Sequence, residues 1–382
     1  MPRKPITDFH AGSIFRFFAL FLSFEQCIAL FAAEPAPNAQ PKFLGADSCS
    51  SSSCHGGGGA HQNQYIVWST RDFHFQRPFA TLTTARSKQI SAALNIKDAT
   101  TDHQCVNCHA PLREIPETIR GESLRVTEGV SCEVCHGPSE NWLRSHTRND
   151  YTHENRAIAG MRDLKNLYVR ANSCVACHQN VPLHLLQAGH PELIFELDGQ
   201  SISEPKHWRE KDNWNGAQAW AVGQSVALRE MLWQIDTINT ADTKLVSRAE
   251  ALLWLFEKID SANTGLPKSS LSPGQTTKTK LHEARAAADI FARELSEIKW
   301  SSEINAAIVK SLVSASPEFN RPTTISDQHA RRAERLALAL DRLCNPITGS
   351  KEDAQLKHLF SLAQSIPDFD PKGFASALQD FR

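Results

Sequence analysis

The sequence predicts a mostly α protein in two parts: an N-terminal half with little regular structure and an all-helical C-terminal half. Three observations carry this prediction. Four Cys/His clusters fall between Cys49 and His178. Twelve of the sixteen histidines lie from His55 to His207, and only His282, His329 and His358 follow. Beyond residue 207 apolar residues recur at helical spacing and no further cluster occurs.

The clearest cluster lies within Gly129 to His146, GVSCEVCHGPSENWLRSH. Cys132, Cys135 and His136 are spaced C-x-x-C-H, the pattern of c-type haem attachment. Two thiols add to the two vinyl groups of one haem, and the imidazole that follows is the proximal iron ligand. Cys105, Cys108 and His109 repeat the spacing, as do Cys174, Cys177 and His178. Cys49, Cys54 and His55 form a fourth site with four serines between the cysteines. The Gly56 to Gly59 run gives that site the slack its wider spacing needs. A single C-x-x-C-H would also suit a zinc half-site. Three copies and a long-spaced fourth point instead to four covalently bound haem c groups, with their iron. The fold expected is a multihaem cytochrome c domain packed around four haems, followed by the helical domain.

Length and composition set the frame. A chain of 382 residues has room for two domains. The formal net charge of −1 argues against a nucleic-acid partner. Of ten cysteines, eight are claimed by the clusters, leaving Cys27 and Cys344. Residues 1–33 read as a signal peptide: Arg3 and Lys4, the short apolar run Phe17 to Phe24, then Ala32-Ala33 before Glu34. Glu25 and Gln26 make that run too short for an easy membrane span. The expected location is the periplasm, or another exported compartment, with membrane association if the segment is retained. Residues 34–42 read as a linker, 43–206 as the haem domain and 207–382 as the helical domain.

Elements are expected in this order. Tyr65 to Leu82 reads as a helix with Trp68, Phe75 and Phe79 on one side, and residues 84–97 as a second. Ile115 to Glu128 alternates and suggests a small hairpin. After residue 207, helices are predicted over 216–235, 243–259, 281–300, 303–315, 327–344, 353–363 and 371–381. Ser326 fits an N-cap, Asn345-Pro346 a stop, and Pro371 a first helical position. Cys344 reads as a small buried hydrophobe.

Each haem needs a distal ligand or an open position. Methionine would raise the potential, but Met161 and Met231 fit helix packing better. The distal candidates are His61, His74, His103, His146, His153, His184, His190 and His207. Context favours His146, on a Trp142-bearing segment, His74, beside aromatics, and His190, fixed between Gly189 and Pro191. His61, His103, His153 and His184 have polar or loop contexts, and His207 is ambiguous. Arg77, Arg113, Arg144 and Arg170 are candidates for haem propionates.

The strings Trp68-Ser-Thr-Arg-Asp-Phe-His74, Gly129-Val-Ser-Cys-Glu-Val-Cys-His-Gly-Pro138, Trp142-Leu-Arg-Ser-His146 and Gly189-His-Pro-Glu-Leu193 resemble the cytochrome c-554 family of multihaem cytochromes. The resemblance covers about residues 44–207. It implies that His146 lies opposite His55, His74 opposite His136, and His190 opposite His178. It also implies a five-coordinate haem on His109, a place that His61 or His103 could fill. The serine insertion and the helical C-terminal half depart from the family pattern. The function expected is electron transfer between redox proteins of the periplasm or membrane, through mainly bis-histidine haems. The alternative is a redox enzyme acting on nitric oxide, hydroxylamine or nitrite at an open haem. The C-terminal helices are expected to serve in docking or dimerisation.

Overall fold

The computed structural model describes residues 40–210, 214–238, 242–323, 327–344, 350–364 and 368–381. The signal segment, most of the linker, the N-cap Ser326 and the stop Asn345-Pro346 lie outside them. The described chain is helical, without a β-strand; its two isolated bridges join Phe43 to Arg120 and Phe75 to Gly129. No described helix is long and apolar enough to cross a membrane.

The first part is built of short helices: α1 (Gln64–Arg71), α2 (Arg77–Thr81), α3 (Ala85–Ala93), α4 (His103–His109), α5 (Cys132–His136), α6 (His153–Ile158), α7 (Leu167–His178), α8 (Leu183–Gln187) and α9 (Leu197–Ser203). The single helix expected over 65–82 is broken at Asp72. The backbone there finds partners elsewhere: the Asp72 carboxylate accepts from His74 N at 2.8 Å, Val130 N donates to His74 O and Gln76 N to Glu128 O, each at 2.9 Å. Gln76 turns the chain with φ of 56°. No hairpin forms over 115–128. Its backbone pairs outward with Phe43, which donates to Ile119 O and accepts from Gly121 N.

The second part follows the predicted helices closely: α10 (Gly216–Thr237), α11 (Thr243–Ser261), α12 (Leu281–Glu297), α13 (Ser302–Ser314), α14 (Gln328–Cys344), α15 (Ser350–Ala363) and α16 (Pro371–Gln379). Asp370 caps α16, accepting from Lys372 N, with Pro371 at the first helical position. Helix α10 is buried almost all round, including Trp220, Val222, Val226, Leu228 and Met231, which suits a central helix. It packs on α12, α11 and α14 and also on α7 and α9. Cys344 is buried in the same core.

That core crosses the predicted junction at residues 206 and 207. Ala171, Val175, Phe195 and Leu197 belong to one apolar cluster with α10 to α16, and residues 41–382 form one unit.

Candidate haem centre

Helices α4, α5 and α7 each end on the histidine of a C-x-x-C-H motif, so three motifs occupy last helical turns. The first site follows a 3-10 turn, Ala46–Cys49. The third motif is tied to the first through Glu133, which is 1% exposed. Its carboxylate accepts from Leu44 N at 2.9 Å, Gly45 N at 2.7 Å, Ser139 N at 2.7 Å and Ser139 Oγ at 2.5 Å. A buried carboxylate needs this many donors to offset its lost hydration. Two glycines of the same string are required by geometry. Gly129 has φ of 83°, and a Cβ there would sit 2.6 Å from His74 O. Gly137 has φ of 85°, and a Cβ would sit 2.6 Å from Gly160 O.

The histidines sort into two groups. His55, His74, His109, His136, His146, His178, His190 and His207 are half-buried, whereas His61, His103, His153 and His184 are exposed. Within the first group, rings meet in pairs. His55 and His146 lie with centroids 6.1 Å apart, His74 and His178 at 6.1 Å, and His109 and His190 at 6.4 Å. Each pair joins one motif histidine to one outside the motifs. Aromatic contacts alone span a similar range. The spacing is also what one metal atom imposes: two imidazole–metal bonds of about 2 Å in line, with half a ring at each end, separate the centroids by about 6 Å. His136 has His207, His55, Arg162 and His146 near it. Burial and these charges push the His136 pKa down to about 4. Burial, followed by His74, lowers that of His178. His109 is also lowered, by burial first.

Hydrogen bonds assign the ring faces. His55 Nδ1 donates to Gln64 Oε1 at 3.0 Å, His109 Nδ1 to Pro78 O at 2.7 Å, His146 Nδ1 to Leu143 O at 2.7 Å and His190 Nδ1 to Pro191 O at 2.8 Å. His74 Nδ1 lies 3.1 Å from Asp72 Oδ1 and 3.2 Å from Glu204 Oε1. His178 is the exception: the Gln200 Nε2 amide donates toward its Nδ1 at 3.5 Å, so this contact does not place the ring proton on Nδ1. A neutral imidazole with its proton on Nδ1 offers a lone pair at Nε2, as an iron ligand must. Two of the exposed rings differ: His184 spends Nε2 on Gln104 at 2.6 Å and His153 spends Nε2 on Asp163 at 3.1 Å, whereas exposed His103 turns Nδ1 to Glu114 at 2.5 Å.

Relative to the resemblance, the first pair agrees and two partners are exchanged. His74 faces His178 rather than His136, and His190 faces His109 rather than His178. The turn that breaks the expected 65–82 helix carries His74 to Glu204, just past α9. His207 is the site residue that sequence context left undecided. Its only local signal is the adjacent Trp208, whose ring stands 5.1 Å away, edge to face. Of the candidate propionate partners, Arg170 is committed to Glu210 at 2.7 Å and stacks on Trp214.

The thiols show how the sites adjoin. Cys49 lies beside Cys132, across two motifs, and Cys108 beside Cys177, each pair close enough for one thiol to shift the other's pKa. Cys135 lies close enough to Cys174 that, after burial, this neighbour contributes most to raising its pKa to about 12. Burial raises Cys174 itself to about 11. None of the nine described cysteines is in a disulfide. No Cys/His tetrad of the kind zinc requires converges among the described residues; the one group of three or more such ligands is Asp72, His74 and Glu204. The residues fit haem instead: paired thiols beside facing imidazoles, with the buried Trp142 Nε1 left without a partner beside His146.

A search of curated proteins and a search of solved structures found no match. Residues 48–137 match the family model described as Cytochrome c554 and c-prime, a stretch of ninety residues that holds the first three motifs. With its three attachment motifs, that stretch is similar to the cytochrome c-554 family, whose c-type cytochromes carry covalently bound haem.

Proposed function

We propose that the chain is a four-haem electron carrier in which every iron is held between two histidines. The thioether cysteines are Cys49 and Cys54, Cys105 and Cys108, Cys132 and Cys135, Cys174 and Cys177. The ligand pairs are His55 with His146, His109 with His190, His136 with His207, and His178 with His74. Bound haem supplies a one-electron couple, and the protein supplies its ligands, orientation and exclusion of water. The observation that carries the reading is the 6.1–6.4 Å spacing of three histidine pairs, with Nε2 left free of protein partners.

The thiol contacts support an order for the row: first motif, third, fourth, second. Electrons would enter or leave at its two ends. At one end Cys54 is exposed on the serine loop. Redox proteins of the periplasm or membrane are the partners proposed, because covalent haem attachment takes place outside the cytoplasmic membrane. His190 against His109 favours this carrier over an enzyme working at an open haem.

Mass spectrometry of the mature holoprotein should give the peptide plus four haems. Electron paramagnetic resonance should show only low-spin haem, and the reduced protein should not bind carbon monoxide. One high-spin haem that binds the gas would overturn the fully bis-histidine assignment and revive the enzyme reading.

A further inference from the structure

Asp72 sits in the break after α1 with its side chain 1% exposed. Its Oδ1 accepts from His74 N at 2.8 Å and faces His74 Nδ1 at 3.1 Å. Its Oδ2 has no hydrogen-bond partner within ordinary range, and neither has His207 Nδ1. These two atoms lie 3.5 Å apart. A carboxylate this deeply buried is costly unless both oxygens are used. One carboxylate therefore stands behind two imidazoles. Glu204, 23% exposed, is a second acceptor at 3.2 Å for His74 alone.

We propose that Asp72 is a positioning residue shared by two iron ligands, holding His74 and His207 with Nε2 directed at two different haems and lowering the potentials of both. The proposal rests on the bis-histidine reading above. A neutral imidazole has one N–H, and a carboxylate at Nδ1 keeps it there. The acceptor also raises the basicity of Nε2, and a more basic ligand with a nearby negative charge favours ferric over ferrous iron. The haems concerned are those on Cys132/Cys135 and Cys174/Cys177, the middle two of the proposed row. Of the two ligands, Glu204 contacts only His74, on the second of these haems.

The test is spectropotentiometry with electron paramagnetic resonance on the full-length holoprotein, for wild type, Asp72→Asn and Glu204→Gln. In Asp72→Asn an amide donor replaces Oδ2 or Oδ1, so one ligand faces a donor and both lose the charge. Two of the four midpoint potentials should rise, and the other two should stay in place. In Glu204→Gln one should rise. A purely structural role would disturb all four haems or none. Unchanged potentials in Asp72→Asn, or a uniform shift of all four, would overturn the proposal. If Asp72→Asn does not assemble, four unchanged potentials in Glu204→Gln would overturn it alone. A stoichiometric calcium in the wild type that Asp72→Asn loses would also overturn it, making Asp72, His74 and Glu204 a cation site. High-spin signals in the wild type would instead mark a failure of the ligand assignment, separable from any effect of Asp72.

Discussion

His190 decides between a closed and an open second haem. It is half-buried, its Nδ1 is bonded to Pro191 O, and its ring faces His109. His190→Ala should convert one haem of four to high spin and let the reduced protein bind carbon monoxide at about that fraction. His184→Ala is the control. His184 is exposed and its Nε2 is engaged by Gln104, so its removal should leave the spectrum unchanged. A low-spin spectrum in His190→Ala would remove it from the ligand set. The attachment residues were legible in the sequence because two thiols and an imidazole fall within five residues in three sites and within seven in the Cys49 site. The distal partners were not. His109 and His190 are 81 positions apart, and no local pattern encodes their meeting. His146 stood out in the sequence because it sits ten residues past His136 on a Trp142-bearing segment, and its ring lies 6.1 Å from that of His55.

At the scale of elements, α7 shows how the fourth motif is held. Its outer face meets α10 and α12 through a polar joint. Arg229 pairs with Asp289 at 2.5 Å and with Asn172 at 2.6 Å, while Tyr168 donates to Asp289 at 2.8 Å. Burial raises the Asp289 pKa, but the bonds from Arg229, Tyr168 and Arg293 outweigh it and hold it below the usual carboxylate range. Its stabilising share is therefore present at neutral pH and lost as the pH falls through that lowered value. Arg229→Ala removes charged hydrogen bonds worth roughly 2–3 kcal/mol. It should lower the denaturation midpoint measurably at pH 7, and the deficit should narrow on acidification. A deficit that stays constant with pH would show that Asp289 is not the partner that matters. The C-terminal helices were legible because their apolar spacing recurs over nine to twenty-two residues. The break at Asp72 was not, because it is fixed by backbone bonds to residues 128–130, distant in sequence.

Across the whole molecule, the change in sequence character near residue 207 does not coincide with a gap in packing. Helix α10 rests on α7, and Gln224 Nε2 donates to Phe195 O at 2.9 Å while Gln234 Nε2 donates to Val181 O at 3.1 Å. Phe195 and Leu197 are both 0% exposed, covered by helices that follow them in the chain. Stripping two such side chains of cover costs about 3–6 kcal/mol, at about 1.5–3 kcal/mol each. Typical domains have only about 5–15 kcal/mol in reserve. A chain ending at Ser203 would lose that cover, the partners of Asn180 and Asn172 on α10, and His207. It should therefore assemble with fewer than four low-spin haems, and the haem on Cys132, Cys135 and His136 should be the first to turn high-spin. Haem stain and electron paramagnetic resonance on the shortened protein read both effects. Four low-spin haems in a soluble, cooperatively unfolding fragment would mean that the first 203 residues are self-sufficient. The helices would then be an added module, as the change in sequence pattern at residue 207 predicts, and His207 could not be a ligand.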